Sequence, residues 1–229
     1  MTNHEFSSDK IKKKDEYYTK DYAIFPIIKY LEKGKTIWCP FDKEESNYVK
    51  IFRAKGFKVI LSHIEDGKDF FKYTPKEHYD YIISNPPYSL RQPILEKLFN
   101  LEKPFALLIN ISGLFDSKKR FSLFKDNPFE IMVFNKRVDY IKTEKNNSSP
   151  PFSSIYLCNR ILPSKFIFQE LDRNISLSQK LLLPLKENSK EDGIPPTNKL
   201  VGILPKELWL RRLNVKDVER WYILTKNIR

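Results

Sequence analysis

The sequence predicts an α/β fold in which a mostly parallel, doubly wound sheet carries helices on both faces and an antiparallel hairpin at one edge. Short apolar runs rich in β-branched and aromatic residues alternate with segments of helical spacing, as in strands joined by helical crossovers. Two extended segments then close the series, RVDYI (137–141) and FSSIYLC (152–158), with a polar loop between them. A length of 229 residues suits one domain with an appendage, or two small domains.

The individual elements follow from local patterns. A first helix is expected to begin at Asp21, where apolar residues start to recur at helical spacing, and to end at Gly34, because glycine readily forms a C-terminal cap. Ser46 suits the N-cap of the next helix. The remaining helices are predicted in SNYVKIFRAKG (46–56), RQPILEKLFN (91–100) and SKKRFSLFKDN (117–127), and the strands in KTIWCPF (35–41), FKVILSH (57–63), YDYIIS (79–84), KPFALLINI (103–111) and FEIMVF (129–134).

One predicted strand ends at an unusual tetrapeptide, Asn85-Pro86-Pro87-Tyr88. Two consecutive prolines remove two backbone donors and fix φ twice, so the strand must stop and the next residues are stiff. Such a segment holds an amide and a phenol at set positions. Open α/β sheets bind ligands just past the carboxyl ends of their strands. A proline-rich turn opened by asparagine is the alternative interpretation.

Charge indicates a polyanionic partner. The formal net charge is +12 and the sequence pI is about 9.5, and both the fold and the C-terminal part are basic. Such a surplus favours nucleic acid. A lysine-rich composition without a binding role is the alternative.

Other classes of protein find no support in the sequence. No apolar run has the length of a membrane span, and the polar start MTNHEFSSDKIKKK does not resemble a signal peptide. Cys39 and Cys158 are the only cysteines, which suits a reducing cytoplasm and offers no disulfide framework. The three histidines and two cysteines lack the spacing of zinc ligands, so no metal is expected.

Five stretches in order resemble one known family. They are DEYYTKDYAIFPIIKYL (15–31), IWCPFDKEESNYVKIF (37–52), SHIEDGKDFF (62–71), YDYIISNPPYS (79–89) and PPFSSIYLC (150–158). Together they resemble the small adenine-N6 DNA methyltransferase-like proteins of phages and their bacterial hosts, which use S-adenosyl-L-methionine. The resemblance implies a class I methyltransferase (Rossmann-like) fold and a location in the cytoplasm of a bacterial or phage-infected cell.

Three regions are expected along the chain. Residues 1–14 are predicted to form a flexible basic arm, residues 15–162 the methyltransferase catalytic domain, and residues 163–229 a linker followed by an amphipathic helical extension that could bind a protein partner. The resemblance does not reach the last of these regions.

The resemblance implies catalytic roles for the tetrapeptide. The Asn85 side-chain oxygen and the Pro86 carbonyl would each accept a hydrogen bond from the adenine NH₂ group, which is otherwise a poor nucleophile. Pro87 keeps the segment stiff, and Tyr88 would stack on the flipped-out base. No metal or titrating base is needed. Enzymes with this motif also methylate RNA or protein glutamine, so those substrates stay open, as does a binding protein without catalysis.

The resemblance also implies a cofactor site, although this chain lacks the glycine-rich turn that the family at large places after its first strand. Asp42 would hold the cofactor ammonium, His63 a ribose hydroxyl, and Asp69 the adenine amine. A surface histidine and a turn cap are the alternatives for the last two. The predicted cofactor-binding residues are Tyr18, Thr19, Cys39, Pro40, Phe41, Asp42, Ser62, His63, Asp69, Phe70 and Asn85. Only residues 63–79 separate the second and third strands, so a helix and a strand are expected to be shortened or missing there.

Two basic clusters are candidates for contacts with nucleic acid, most simply DNA. Lys118, Lys119 and Arg120 form one, and Lys136 and Arg137 form the other; both follow predicted strand ends. A solvated helix face would explain them as well.

Overall fold

The computed structural model of the protein describes residues 18–141 and 152–174. Its elements are β1 (Tyr18–Thr19), α1 (Phe25–Ile28), β2 (Thr36–Cys39), α2 (Asn47–Ala54), β3 (Lys58–Leu61), β4 (Tyr81–Ser84), α3 (Arg91–Asn100), β5 (Phe105–Asn110), α4 (Lys118–Asp126), β6 (Glu130–Phe134), β7 (Tyr140–Ile141), β8 (Ser154–Asn159) and β9 (Phe166–Gln169). Short 3-10 turns occupy Asp21–Ala23, Ile64–Asp66 and Tyr88–Leu90.

A seven-stranded mixed sheet organises these elements, in the order β3-β2-β4-β5-β8-β6-β9. Neighbouring strands are parallel except for β8, which runs antiparallel to both β5 and β6. The carboxyl ends of β2, β4, β5 and β6 therefore meet at one edge of the sheet. The loops that follow these four strands share that edge, which is where the predicted site residues cluster.

Helices cover both faces of the sheet, as the strand residues themselves demonstrate. Successive residues of a strand point to opposite faces. Ile37 and Cys39 of β2 pack in one apolar cluster with residues of α1 and α2, whereas Trp38 packs in a second cluster with residues of α3 and α4. The mostly parallel, doubly wound Rossmann-like fold predicted from the sequence is therefore confirmed.

The antiparallel strands are present, but their partners differ from the expected edge hairpin. The segment RVDYI contributes β7, which pairs with β1 in a separate two-stranded sheet, while β8 lies inside the main sheet. The reason is the composition of β8: Ile155 and Leu157 enter one apolar cluster, and Tyr156 and Cys158 enter the other. A strand that is apolar on both faces is stable only where both faces are covered.

Two connections differ in length from ordinary crossovers. The helix expected from Asp21 to Gly34 is reduced to a 3-10 turn and the single turn of α1. Pro26 lacks the N–H that would bond to the Tyr22 carbonyl, which interrupts a continuous helix. Between β3 and β4 the described chain contains only the 3-10 turn Ile64–Asp66, which matches the shortening predicted for this segment.

The sequence prediction started the linker too early, at residue 163. Phe166–Gln169, expected to be irregular, form β9 beside β6, and Lys29 Nζ donates a hydrogen bond of 2.5 Å to Gln169 Oε1. Edge strands bury little surface, so the apolar pattern of β9 is weak.

Some of the predicted regions lie outside the residues that the structure describes. The chain divides into two units, residues 1–186 and 187–229, and the second unit lies entirely outside the described residues, as do the basic arm and the C-terminal helices. None of the helices in the described ranges is both long enough and apolar enough to cross a bilayer.

Candidate functional site

The proline-containing tetrapeptide directly follows β4, between the carboxyl ends of β2 and β5. Asn85 is half-buried with a buried side-chain oxygen, and Pro86 is buried. Pro87 is extended, with φ −62° and ψ 123°, and the chain then turns through Tyr88–Leu90 into α3. The prolines thus end the strand as predicted, and the next helix begins only six residues after Asn85.

Asp42 connects this loop to the neighbouring loop after β2. Its carboxylate accepts hydrogen bonds from the hydroxyls of Ser46 and Ser84, and Ser84 is the last residue of β4. The carboxylate is 7% exposed, and burial raises its pKa to about 6, against the opposing effect of the two hydroxyls. Asp42 therefore joins the loop after β2 to the end of β4, and its carboxyl holds its proton to a higher pH than an exposed aspartic acid does.

Tyr88 is held by a chain of hydroxyl groups. Its Oη donates to Tyr140 Oη at 2.9 Å, and Tyr140 Oη lies 2.7 Å from Ser154 Oγ. The ring of Phe152 stands edge-on to the Tyr88 ring at 5.3 Å between centroids. Tyr140 and Phe152 were not among the predicted site residues. Both lie in segments predicted to be extended, and Phe152 also ends the stretch NNSSPPF (146–152), which resembles the family's loop beside the base pocket.

The first of the five stretches, residues 15–31, contributes β1, which pairs with the strand that carries Tyr140. Thr19 is the register partner of Tyr140 in the β1–β7 pair. Thr19 is 5% exposed, its carbonyl accepts from Asn47 Nδ2 at 2.8 Å, and its Oγ1 has no hydrogen-bond partner among the described residues. A buried hydroxyl without a partner is costly and calls for an explanation. Tyr18 precedes it, half-buried.

Aromatic side chains form a wall beside the loop after β2. The centroid of the Phe70 ring lies 4.9 Å from that of Phe41 and 5.6 Å from that of Trp38, and Phe70 is buried. Pro40, next to Phe41, is buried as well. Ser62 is fully buried, and its hydroxyl accepts from Trp38 Nε1 at 2.9 Å. The Ser62 oxygen therefore satisfies the indole.

Two further predicted residues have local structural partners, and a third is buried. His63 Nδ1 accepts from the Glu65 amide at 3.2 Å and caps the 3-10 turn that follows it. Asp69 Oδ1 accepts from the Phe71 amide at 3.0 Å, which makes Asp69 a turn cap. Burial raises the pKa of the Cys39 thiol well above its ordinary value, so this buried cysteine is not a ready nucleophile.

The basic clusters divide into exposed and engaged residues. Lys118, Lys119, Lys136 and Arg137 are exposed near the ends of β5 and β6. Arg120 instead donates to the carbonyls of Gly113 and Leu114, at 2.8 and 3.0 Å. Arg91, which the sequence patterns did not single out, donates to the Ser112 carbonyl at 2.9 Å. Arg91 holds the loop after β5 against the start of α3, and Arg120 holds the same loop against α4.

Comparison with known proteins gives likenesses of fold only. No family model matches the chain, and no curated protein matches its sequence. A modification subunit assigned to a type I restriction enzyme from Vibrio vulnificus YJ016 is similar in structure, with a TM-score of 0.44 and 8% identity over 71% of this chain; the chain spans 49% of that protein, about half its length. A precorrin-6y C5,15-methyltransferase from Geobacter metallireducens GS-15 is similar with a TM-score of 0.35 and 13% identity, over 60% of this chain and 86% of that one.

Proposed function

We propose that this chain binds S-adenosylmethionine and methylates the exocyclic N6 amine of adenine in DNA. The observation that carries the proposal is the position of Asn85-Pro86-Pro87-Tyr88, which directly follows β4, a strand in the interior of the sheet. An amide oxygen, a backbone carbonyl and an aromatic ring are presented together by a backbone that two prolines make stiff. Recognition and activation of a planar amine require such a set.

The chemistry assigned to these residues is electrostatic. The lone pair of the adenine amine is delocalised into the ring, so the amine is a weak nucleophile. S-adenosylmethionine supplies the methyl group on a positively charged sulfur. Asn85 Oδ1 and the Pro86 carbonyl accept from the two N–H groups and stabilise the positive charge that develops on N6 as the carbon–sulfur bond breaks. The surplus proton leaves to water. Tyr88 orients the base by stacking.

The residues around the loop after β2 fit the cofactor. The buried Asp42 carboxylate suits the ammonium of the methionine moiety, and the Phe41–Phe70 wall suits an adenine ring. Thr19 Oγ1, a buried hydroxyl without a described partner, would gain one from a bound polar ligand. Asp69 and His63 stay candidates for the adenine amine and a ribose hydroxyl of the cofactor, besides capping their own turns.

Nucleic acid is the proposed substrate because of charge. The net charge of +12 favours a polyanionic partner, and the exposed Lys118, Lys119, Lys136 and Arg137 follow strands whose carboxyl ends form the site edge. Cations at this edge can contact phosphates on either side of an adenine that occupies the pocket.

The test is transfer of a tritiated methyl group to adenine-containing DNA, followed by digestion to nucleosides. Asn85→Ala should reduce the rate by about 10²–10³-fold with little change in DNA affinity, because the lost acceptor acts mainly in the transition state. Asn100→Ala, at an exposed position in the last turn of α3, is the matched control and should stay active. Full activity of Asn85→Ala would refute the mechanism, and label in RNA, in protein or at cytosine would refute the substrate.

A second candidate is a methyltransferase-fold protein that binds nucleic acid or a protein partner without catalysis. The observation that favours it is the segment Pro40–Ser46, which contains no glycine to let the backbone approach a cofactor closely, and in which Asp42 already accepts from two hydroxyls. Calorimetric titration with S-adenosylmethionine separates the two candidates: heat of binding supports the enzyme, and its absence at millimolar cofactor supports the binding protein.

A further inference from the structure

The Phe121 side chain on α4 is largely exposed to solvent. Phe121 is 62% exposed, and none of the aromatic ring contacts among the described residues involves it. By contrast, Phe124 on the same helix is buried against Phe99, Phe115 and Phe129. The apolar side of α4 is therefore already filled without Phe121.

Two lysines flank this ring along one face of the helix. Lys118 precedes Phe121 by three residues and Lys125 follows it by four, and residues at these spacings are neighbours on a helix surface. Both lysines are exposed. At 1.5 Å per residue they lie about 10 Å apart along the axis, with the ring between them. We call these three residues the Lys118–Phe121–Lys125 stripe.

The helix that carries the stripe is connected to α3, which follows the proposed catalytic loop, through the loop after β5. Arg120 donates to the carbonyls of Gly113 and Leu114, which fastens the start of α4 to the loop after β5. Arg91, the first residue of α3 after the Tyr88–Leu90 turn, donates to Ser112 in that same loop. These hydrogen bonds, joined through the backbone of residues 112–114, link the segment that follows Tyr88 to the helix that carries Phe121.

We infer that the Phe121 ring of the stripe stacks on a nucleobase that neighbours the target adenine. The two lysines of the stripe would contact the flanking phosphates. The inference rests on the proposed function, since it gives that site a second contact with its nucleic-acid substrate. An exposed ring between two cations is complementary to a base between two phosphates, and stacking needs only the π-face of any base. The contact would keep the strand unstacked beside the flipped adenine without reading its sequence.

The experiment measures binding of the full chain to a fluorescent single-stranded DNA oligonucleotide that contains one adenine, with 2-aminopurine at the adjacent position. Phe121→Ala should weaken binding roughly tenfold and abolish the quenching of 2-aminopurine, because one base stack is lost. Phe121→Trp should retain both. Phe168→Ala is the matched control: Phe168 is 83% exposed, but it lies on the edge strand β9, and its removal should change neither readout.

The lysines give an independent readout. Lys118→Ala combined with Lys125→Ala should reduce the slope of log affinity against log salt by about 1.4, the value for two phosphate contacts on a single strand. Phe121→Ala should leave that slope unchanged.

The outcomes separate this inference from the proposed function. Equal binding by Phe121→Ala, Phe168→Ala and the unmutated chain would overturn the inference whether or not methyl transfer is observed. Weakened binding by Phe121→Ala in a chain that transfers no methyl group would support the stripe as a nucleic-acid contact and leave only the enzyme proposal refuted. If sedimentation shows that Phe121→Ala abolishes self-association and leaves DNA affinity intact, the stripe is an interface between copies of the chain and the inference is wrong.

Discussion

At the scale of single residues, the hydroxyl of Tyr88 has a role separate from that of its ring. The ring is the proposed stacking surface, and the hydroxyl donates to Tyr140, which in turn contacts Ser154. The orientation of the ring is thereby set before any base arrives. Organisation of this kind reduces the conformational freedom that binding would otherwise have to remove.

Removing that hydroxyl gives the first prediction. Tyr88→Phe keeps the ring but loses one hydrogen bond, worth about 0.5–1.5 kcal/mol, so capture of the target base should weaken severalfold. Tyr88→Ala should weaken it further, because the stack is lost as well. Tyr140→Phe should match Tyr88→Phe if Tyr140 acts only through Tyr88. The measurement is fluorescence of 2-aminopurine at the target position, with Tyr30→Phe, a half-buried tyrosine outside the Tyr88–Tyr140–Ser154 series, as the control.

Asp42 gives a prediction about pH. Burial raises its pKa from 3.8 to about 6, so the folded chain binds this proton more tightly than the unfolded chain. The free energy of unfolding should therefore fall as pH rises from about 4 to about 6, by on the order of 3 kcal/mol from this group. Asp42→Asn should remove that fall, whereas Asp66→Asn, at an exposed position, should keep it. Urea denaturation at several pH values is the measurement, and parallel profiles for Asp42→Asn and the unmutated chain would contradict the prediction.

At the scale of elements, the two-stranded ribbon of β1 and β7 joins the proposed cofactor side to the proposed base side. Thr19 on β1 is a proposed cofactor contact, and its register partner Tyr140 on β7 holds Tyr88. A ribbon of two residues per strand is marginal alone and depends on the packing of its neighbours. Tyr140 is fully buried and supplies that packing.

A substitution at Thr19 tests whether the β1–β7 ribbon contacts a ligand. Thr19→Val replaces a buried hydroxyl without a described partner by a methyl group of similar size, so stability should be unchanged or rise by up to about 1 kcal/mol. Affinity for S-adenosylmethionine should fall if the hydroxyl contacts the cofactor. Stability is measured by denaturation and affinity by calorimetry. Thr36→Val on β2 is the control for affinity. A loss of stability together with unchanged affinity would mark Thr19 as purely structural.

At the scale of the whole molecule, net charge governs the encounter with substrate. The +12 charge predicts attraction to a polyanion at long range, while the exposed Lys118, Lys119, Lys136 and Arg137 predict where it docks. Four phosphate contacts on duplex DNA correspond to a loss of affinity of about a hundredfold between 50 and 200 mM salt. Fluorescence anisotropy measures it, and an affinity that is flat over this range would contradict docking on the basic residues. Lys76→Ala, in the crossover between β3 and β4, should keep the full slope.

Particular residues explain which parts of this protein could be predicted. Pro86 and Pro87 end β4 through the geometry of their own rings, and Ser46 caps α2 through contact with the Tyr48 amide two residues on. Effects that act over a few residues are recorded in local sequence. The shortened crossover between β3 and β4 was also predictable, because too few residues connect the two strands. The prediction around Pro26 was partly wrong. The apolar spacing indicated one helix from Asp21 to Gly34, but Pro26 lacks the N–H that a continuous helix needs.

Only the tertiary structure decided how distant segments meet. The contact between Asp42 and Ser84 spans 42 residues, and that between Tyr88 and Tyr140 spans 52. No local pattern encodes such pairs, since each side chain has a satisfactory local interpretation as a turn or strand residue. The position of β8 inside the sheet was decided in the same way, because only the assembled sheet covers both of its apolar faces. The sequence by itself thus determined the stiff loop and its chemistry, whereas long-range packing determined which groups surround it.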